Sequence, residues 1–249
     1  MFTDTHCHIL DEYYDNIDEI FVMMKDSKIY RVINNGIDDK SNKEVLEKIK
    51  HYDWMYGAIG IHPENVDNYK EEDLEYVIAH INDNKVVAIG EIGLDYHYSK
   101  ENKEKQIELF EKQLELAERY NVPVIVHSRE ATLDTIECLK KYRVRGVIHS
   151  FSGSYETAII YIKMGFLLGI NGVVTFKNCN SIDMIKRIGI KHIILETDSP
   201  YLTPVPYRGK KNYPSHVIDI VNFLVEKLSI SEEEIASITE NNIKEIFDI

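Results

Sequence analysis

Short apolar runs alternate with longer charged segments along the whole chain. The apolar runs are residues 29–33, 55–61, 86–92, 122–126, 144–148, 166–170 and 193–195, and the opening stretch 2–8 is predicted as a further strand, which makes eight. Many are rich in Val and Ile without alternating polar residues, which is typical of parallel strands covered on both faces. Between them, residues such as Ile107, Phe110, Leu114 and Ala117 form one stripe of an amphipathic helix within 104–120. The pattern predicts eight strands with helical segments between them.

Two further helices are predicted at the end of the chain. Val217, Val221, Leu224 and Leu228 form an apolar stripe in the first, and the second opens with Ser231 and Glu234 at capping-box spacing. We find no linker, low-complexity tract or sequence repeat, so we predict a single domain over residues 1–249. Eight strands in 249 residues favour a (β/α)8 TIM barrel over an open doubly wound sheet, which usually has fewer strands.

The charge and composition of the chain exclude several classes of function. The net charge of -13 argues against a broad surface that coats nucleic acid, although it leaves room for a small, local phosphate site. No run is long enough to span a membrane, and the N-terminus lacks signal-peptide features, so we expect the mature chain to start at Met1. The three cysteines, Cys7, Cys138 and Cys179, are widely spaced, which fits reduced thiols and a cytoplasmic location. We expect no membrane association and see no sign of an obligate protein partner.

Polar residues with catalytic or metal-binding chemistry follow the predicted strands. In a barrel the active site lies at the carboxyl ends of the strands, where several strands each contribute residues. The residues in that position are His6 and His8, His62, Glu91, His127, His149 and Asp198. By contrast, we interpret His51, His80 and His192 as surface residues, and the pattern does not decide the role of His97 or His216.

These residue types indicate bound metal. His6 and His8 project to the same face of their strand, with Cys7 on the other face. Four imidazoles and two carboxylates exceed the three protein ligands of a typical catalytic zinc, so we predict two divalent cations. One is held by His6 and His8 and the other by His127 and His149; Glu91 can bridge them, and Asp198 can hold an ion and orient or deprotonate its water. Zn, Mn, Fe, Co and Mg all remain open. Two cations that activate water suggest hydrolysis.

Six segments resemble the successive motifs of the TatD family of metal-dependent deoxyribonucleases, which belong to the amidohydrolase superfamily. They are residues 3–8, 60–63, 90–96, 127–129, 149–153 and 196–201, and the resemblance continues into 205–210 and a Thr239-x-x-Asn242 pattern. The resemblance implies a barrel fold and hydrolysis of DNA, often from a 3′ end. It assigns the metal ligands to His6, His8, Glu91, His127, His149 and Asp198. Ser150 departs from the family pattern, because many relatives have Cys there.

Substrate recognition requires positive charge near this acidic rim. Arg129 comes two residues after His127, and Arg208, Lys210 and Lys211 form a basic stretch after strand eight, where barrels often bind phosphate. We predict that Arg129, Arg208 and Lys210 bind substrate. Tyr201 and Tyr207 are weaker candidates for stacking on bases, because tyrosine is plentiful in this chain.

Three functions fit these features. The first is a DNA phosphodiesterase, a 3′-5′ exonuclease by resemblance, in which a metal-activated water attacks phosphorus and Asp198 and His62 manage protons. The second keeps the metals but cleaves a carboxylic ester or amide, as an aminoacyl-tRNA deacylase does, because activated water also attacks carbonyl carbon. The third is a non-catalytic, metal-stabilised binding module, and the large number of ligands argues against it because a structural site normally closes with four.

Overall fold

A computed structural model describes residues 1–249 and contains eight strands and nine α-helices. The strands are β1 (Phe2–Cys7), β2 (Ile29–Asn35), β3 (Met55–Ile59), β4 (Val86–Asp95), β5 (Val124–Arg129), β6 (Gly146–Ile148), β7 (Phe166–Ile170) and β8 (Ile193–Leu195). The helices are α1 (Ile17–Asp26), α2 (Asp39–His51), α3 (Glu71–His80), α4 (Lys103–Tyr120), α5 (Thr132–Leu139), α6 (Tyr155–Lys163), α7 (Ser181–Ile188), α8 (Val217–Leu228) and α9 (Glu232–Phe247).

The strands follow one another in the sheet in chain order, from β1 to β8, and helices alternate with them along the chain. This order defines a (β/α)8 barrel, and the predicted fold class is confirmed. Contacts between residues divide the chain into two compact units, one made of residues 1–34, 150–163 and 167–249 and the other of residues 35–149 and 164–166. The single domain over residues 1–249 stays a prediction.

The first unit contains the pairs β1–β2 and β7–β8, both parallel. A bridge between Cys7 and Ser199 joins the end of β1 to the segment that follows β8. Phe2, Ile33, Leu168 and Ile194 are completely buried in this unit, as expected for strands covered on both faces. The bridge holds the ends of β1 and β8 close together, which matters for the side chains that follow them.

The second unit contains β3 to β6, which pair in parallel in that order. α4 covers part of this sheet, and its buried face includes Phe110, Gln113 and Leu114. Gln113 is polar, but its hydrogen-bonding groups are satisfied, because its side chain accepts from the N–H of Ile61 at 2.8 Å and donates to the Ile61 carbonyl at 3.0 Å. The helix therefore fixes the backbone at the end of β3, immediately before His62.

The predicted helix ends agree with local capping chemistry. Ser231 caps α9, and its hydroxyl accepts from the N–H of Glu234 at 3.1 Å, as the capping-box spacing predicts. Asn121 ends α4 in the left-handed conformation that suits a helix C-terminus. The predicted strand runs differ from the observed strands mainly at their ends; β4 in particular extends to Asp95, three residues past the predicted run.

Candidate metal-binding residues

The first donor cluster lies at the end of β1. The alternation of the strand directs His6 and His8 to one side, and their Nε2 atoms lie 3.2 Å apart with the ring planes edge to face. Cys7 points the other way, and its thiol donates to the carbonyl of Ile33 at 3.5 Å. Both imidazoles are buried, and their facing nitrogens are the predicted pair of ligands.

Asp198 completes this cluster from the segment after β8. Its Oδ1 lies 3.7 Å from Nε2 of His6 and 3.6 Å from Nε2 of His8. The backbone holds the carboxylate there, because the N–H of Asp198 donates to the carbonyl of His6 at 2.9 Å and the N–H of His8 donates to the carbonyl of Ser199 at 2.7 Å. Asp198 adopts φ = 57°, a left-handed conformation that Asp tolerates better than most residues.

The spacing of these three donor atoms fits a divalent cation. A tetrahedral ion with metal–nitrogen bonds of about 2.0–2.1 Å separates its ligand atoms by about 3.3 Å. The observed separations of 3.2, 3.6 and 3.7 Å are close to that value. Two imidazole nitrogens and one carboxylate oxygen are also the chemical donor types that Zn and related ions accept.

The second donor cluster surrounds Glu91 on β4. Its Oε1 lies 2.9 Å from Nδ1 of His127, 3.6 Å from Nε2 of His62 and 3.8 Å from Nε2 of His149. His127 is on β5, and His149 follows β6, where its N–H donates to the Val126 carbonyl and continues the strand ladder. Glu91 is only 4% exposed, so a carboxylate with three imidazoles around it is shielded from bulk water. This cluster also fits a divalent cation.

Asp95 determines which nitrogen of His127 is available to a metal. Glu91 and Asp95 lie four residues apart on β4, so both side chains project to the same side. Oδ2 of Asp95 lies 2.9 Å from Nε2 of His127, which therefore carries a proton and leaves Nδ1 for a metal. Burial lowers the pKa of His127, but the hydrogen bonds to Asp95 and Glu91 outweigh it and raise the pKa to about 9.

His62 differs from the other histidines of the second cluster. Its Nδ1 accepts from the backbone N–H of Glu64 at 3.2 Å, and the residue caps the short 3₁₀ helix Pro63–Asn65. The neutral ring must then carry its proton on Nε2, the atom that faces Glu91. The ring therefore presents a hydrogen-bond donor instead of a metal-binding lone pair, which fits the predicted role of His62 in proton handling.

Several supporting residues were not predicted from the sequence. Asp4 is fully buried and accepts from the N–H of Thr197 at 2.9 Å and the N–H of His6 at 3.2 Å, and burial raises its pKa to about 8. Glu196, also fully buried, accepts from the N–H of Ser150 at 2.6 Å. Asp4, Asp95 and Glu196 all lie within the motifs that resemble the TatD family. Their closeness in sequence to a predicted metal ligand was the available signal.

The structure places the predicted substrate-binding residues in two settings. Arg129 is exposed at the end of β5, where it pairs with Asp95 across the sheet and lies over the ring of Tyr98 at 5.1 Å. The guanidinium of Arg208 packs over the ring of Phe176 at 4.3 Å, and Lys210 lies in the same loop. Neither Arg208 nor Lys210 forms a hydrogen bond or ion pair with a side chain of either donor cluster, so their role stays a prediction.

The remaining histidines lie outside both clusters. His51 pairs with Glu47 and His80 with Asp83 on exposed helix surfaces, as expected for surface residues. Of the two undecided residues, His97 pairs with Glu130 at 2.7 Å at the surface. His216 contacts Oδ1 of Asn212 at 2.7 Å and stacks on the ring of Tyr207, which gives that tyrosine a partner within the loop.

Comparisons with known proteins indicate one family. The family model described as "TatD related DNase" matches residues 3–248. The metal-dependent hydrolase YabD of Bacillus subtilis (strain 168) is 41% identical, with 100% of both chains covered, and the metal-dependent hydrolase YcfH of Escherichia coli (strain K12) is 33% identical over 99% of this chain and 95% of its own. The crystal structure of YjjV, a TatD homologue from Escherichia coli K12, superposes with a TM-score of 0.94 at 29% identity and covers 100% of this chain and 98% of that one.

The (β/α)8 fold and these relatives define the class of the protein, a metal-dependent hydrolase. More particularly, the chain belongs to the TatD family. The resemblance seen in the sequence is thereby confirmed. None of the helices is both long and apolar enough to cross a membrane.

Proposed function

We propose that this protein is a DNA phosphodiesterase that removes nucleotides from 3′ ends and uses two divalent cations, Zn, Mg or Mn. The observation that supports it most is the pair of donor clusters, each with imidazole nitrogens around a carboxylate oxygen. One cation is assigned to His6, His8 and Asp198, and the other to Glu91, His127 and His149. Because active-site residues of (β/α)8 enzymes come from the carboxyl ends of several strands, the proposal assigns both clusters to one reaction.

Divalent cations bound at these residues would stabilise negative charge on phosphate oxygens and lower the pKa of water. Asp198 is the proposed proton acceptor, since its side chain is 14% exposed and therefore open to a water molecule. His62 is proposed to handle protons together with Asp198, since its Nε2 lies 3.6 Å from Oε1 of Glu91 and the N–H of Glu64 holds the ring through Nδ1. Arg129, which is exposed beside the second cluster, would neutralise charge on the phosphate.

The proposal is tested by incubating the purified protein with single-stranded and duplex DNA labelled at the 3′ end, with and without a chelator. We expect chelator-sensitive release of mononucleotides. Asp198→Asn and His62→Gln should each lower kcat by about 100-fold or more, the usual contribution of a general acid or base. The His62→Gln variant should still bind both cations, because His62 is not assigned as a metal ligand.

Including an aminoacyl ester in the same assay separates the nuclease from the esterase that uses the same chemistry. Faster turnover of the ester than of DNA would contradict the proposed substrate. Absence of hydrolysis with Zn, Mg, Mn and Co alike would contradict the proposed activity. Full function of Asp198→Asn in cells would favour a non-catalytic binding module.

A further inference from the structure

An open cleft lies between the loop that follows β4 and the beginning of α5. Its volume is about 570 Å³, within the range of about 300–1,000 Å³ typical of small-molecule sites. The side chains around it include Tyr96, Lys100, Lys103, Leu133 and Asp134. We call this the 96–134 cleft.

One wall of the 96–134 cleft is held rigid by its own contacts. Asp134 accepts from the hydroxyl of Tyr96 at 2.9 Å and from Nζ of Lys103 at 2.7 Å. A hydrogen bond between Nδ1 of His97 and Oε1 of Glu130, at 2.7 Å, links the loop after β4 to the end of β5. Lys103 thus compensates the charge of Asp134, and Glu130 is held in place by His97.

Other side chains at the cleft are exposed and available to a ligand. Leu133 in the cleft is 79% exposed, and Tyr98, beside the cleft in the same loop as Lys100, is 70% exposed. Apart from Met1, they are the most exposed large apolar side chains. Lys100 forms no salt bridge. Exposed aromatic rings beside cations are the features that bind single-stranded nucleic acid, because bases stack on the ring and phosphates contact the cation.

Arg129 and Asp95 connect the cleft to the second donor cluster. The side chain of Arg129 lies over the Tyr98 ring at 5.1 Å, and Arg129 is paired across the sheet with Asp95, whose carboxylate contacts His127. Asp95 immediately precedes Tyr96, which lies in the cleft wall, and the N–H of Tyr96 donates to the Arg129 carbonyl at 2.9 Å. A single strand of DNA with a phosphate at His127 would therefore continue past Arg129 into the cleft.

We propose that the 96–134 cleft binds the single-stranded DNA adjoining the phosphodiester that is cut, with Tyr98 stacking on a base and Lys100 contacting a phosphate. This inference rests on the proposed nuclease function. It places strand recognition at the loops after β4 and β5, in addition to the basic stretch around Arg208 and Lys210. It also explains how a chain with a net charge of -13 holds a polyanion, since contact is confined to a local patch.

The test compares a long and a minimal substrate in the metal-loaded protein. An oligothymidylate of about ten nucleotides can fill the cleft, whereas bis(p-nitrophenyl) phosphate offers only the diester. In Tyr98→Leu and Lys100→Glu we expect the ratio of kcat/KM for the oligonucleotide to kcat/KM for the small diester to fall about tenfold through KM. Tyr98→Phe keeps the ring and should keep the ratio. Lys50→Glu, the same charge change on exposed α2, is the matched control.

Binding is measured separately, by fluorescence anisotropy with a fluorescein-labelled phosphorothioate oligothymidylate that resists hydrolysis. Weaker binding by Tyr98→Leu and Lys100→Glu than by Lys50→Glu supports the cleft. An unchanged substrate ratio and unchanged binding in both variants overturn it, even if the protein hydrolyses DNA normally. If neither substrate is hydrolysed, the proposed function fails, and the anisotropy result still decides whether the cleft binds DNA.

Discussion

Asp95→Asn should weaken metal binding at the second cluster without a change in the fold. In the native chain Oδ1 of Asp95 accepts from the N–H of His97 at 2.8 Å, and Oδ2 faces Nε2 of His127 at 2.9 Å. The amide oxygen of Asn would keep the first bond, so its NH₂ group would face Nε2. That arrangement favours the His127 tautomer with its proton on Nδ1, the nitrogen that the metal requires.

The expected loss follows from the burial of this contact. Removing a group that orients a ligand histidine typically costs about 10- to 100-fold in metal affinity, or about 1.4 to 2.7 kcal/mol. The Asp95 side chain is only 1% exposed, so water cannot replace the lost acceptor and the upper part of that range is expected. Competition titrations of Zn or Mn against a chelating dye measure the affinity directly.

Asp83→Asn is the matched control. Asp83 contacts Nδ1 of His80 at 2.6 Å in a solvent-exposed pair on the protein surface, so the same substitution there should leave metal affinity unchanged. Equal affinities for Asp95→Asn, Asp83→Asn and the unmodified protein would refute the assignment of Nδ1 of His127 as a ligand atom.

Three further outcomes are expected. Gly169→Ala should lower the free energy of unfolding by about 1–3 kcal/mol in urea titrations, because its Cβ would lie 2.2 Å from Oε2 of the buried Glu196; unchanged stability would show that Glu196 can move. In chelator-treated protein the raised pKa of His127, about 9, stabilises the fold fully below pH 6.5, the ordinary value. That contribution, about 3 kcal/mol, should disappear as the pH rises through 9, and a His127→Gln variant with the same pH dependence would contradict it. Glu240→Gln weakens contacts with Thr3 and Arg31 at 3.1 and 2.8 Å, so melting should occur at lower temperature while DNA hydrolysis is retained; a lost activity would argue for a role in the site.

The two clusters of donor side chains could be predicted because they depend on two regularities of the chain. A parallel strand shows as an apolar run, and residues that follow such runs lie at one end of the sheet. His6, His8 and Asp198 meet in this way in the first unit, as do Glu91 and His127 in the second.

The supporting residues could not be predicted from those regularities. Asp95 lies beyond the apolar run of β4, so only the full length of the strand shows that it shares a side with Glu91. The contact between Glu196 and the N–H of Ser150 joins segments 46 residues apart and depends on tertiary packing. The 96–134 cleft likewise arises from two loops, whose paths hydrophobic periodicity does not define.

Counting metal ions per chain tests the central claim most directly. Elemental analysis of protein saturated with Mn or Zn and then desalted should give two ions per chain, and one ion in both Asp198→Ala and His127→Ala, because each variant disables a single donor cluster. One ion in the unmodified protein, or two in both variants, would contradict the account.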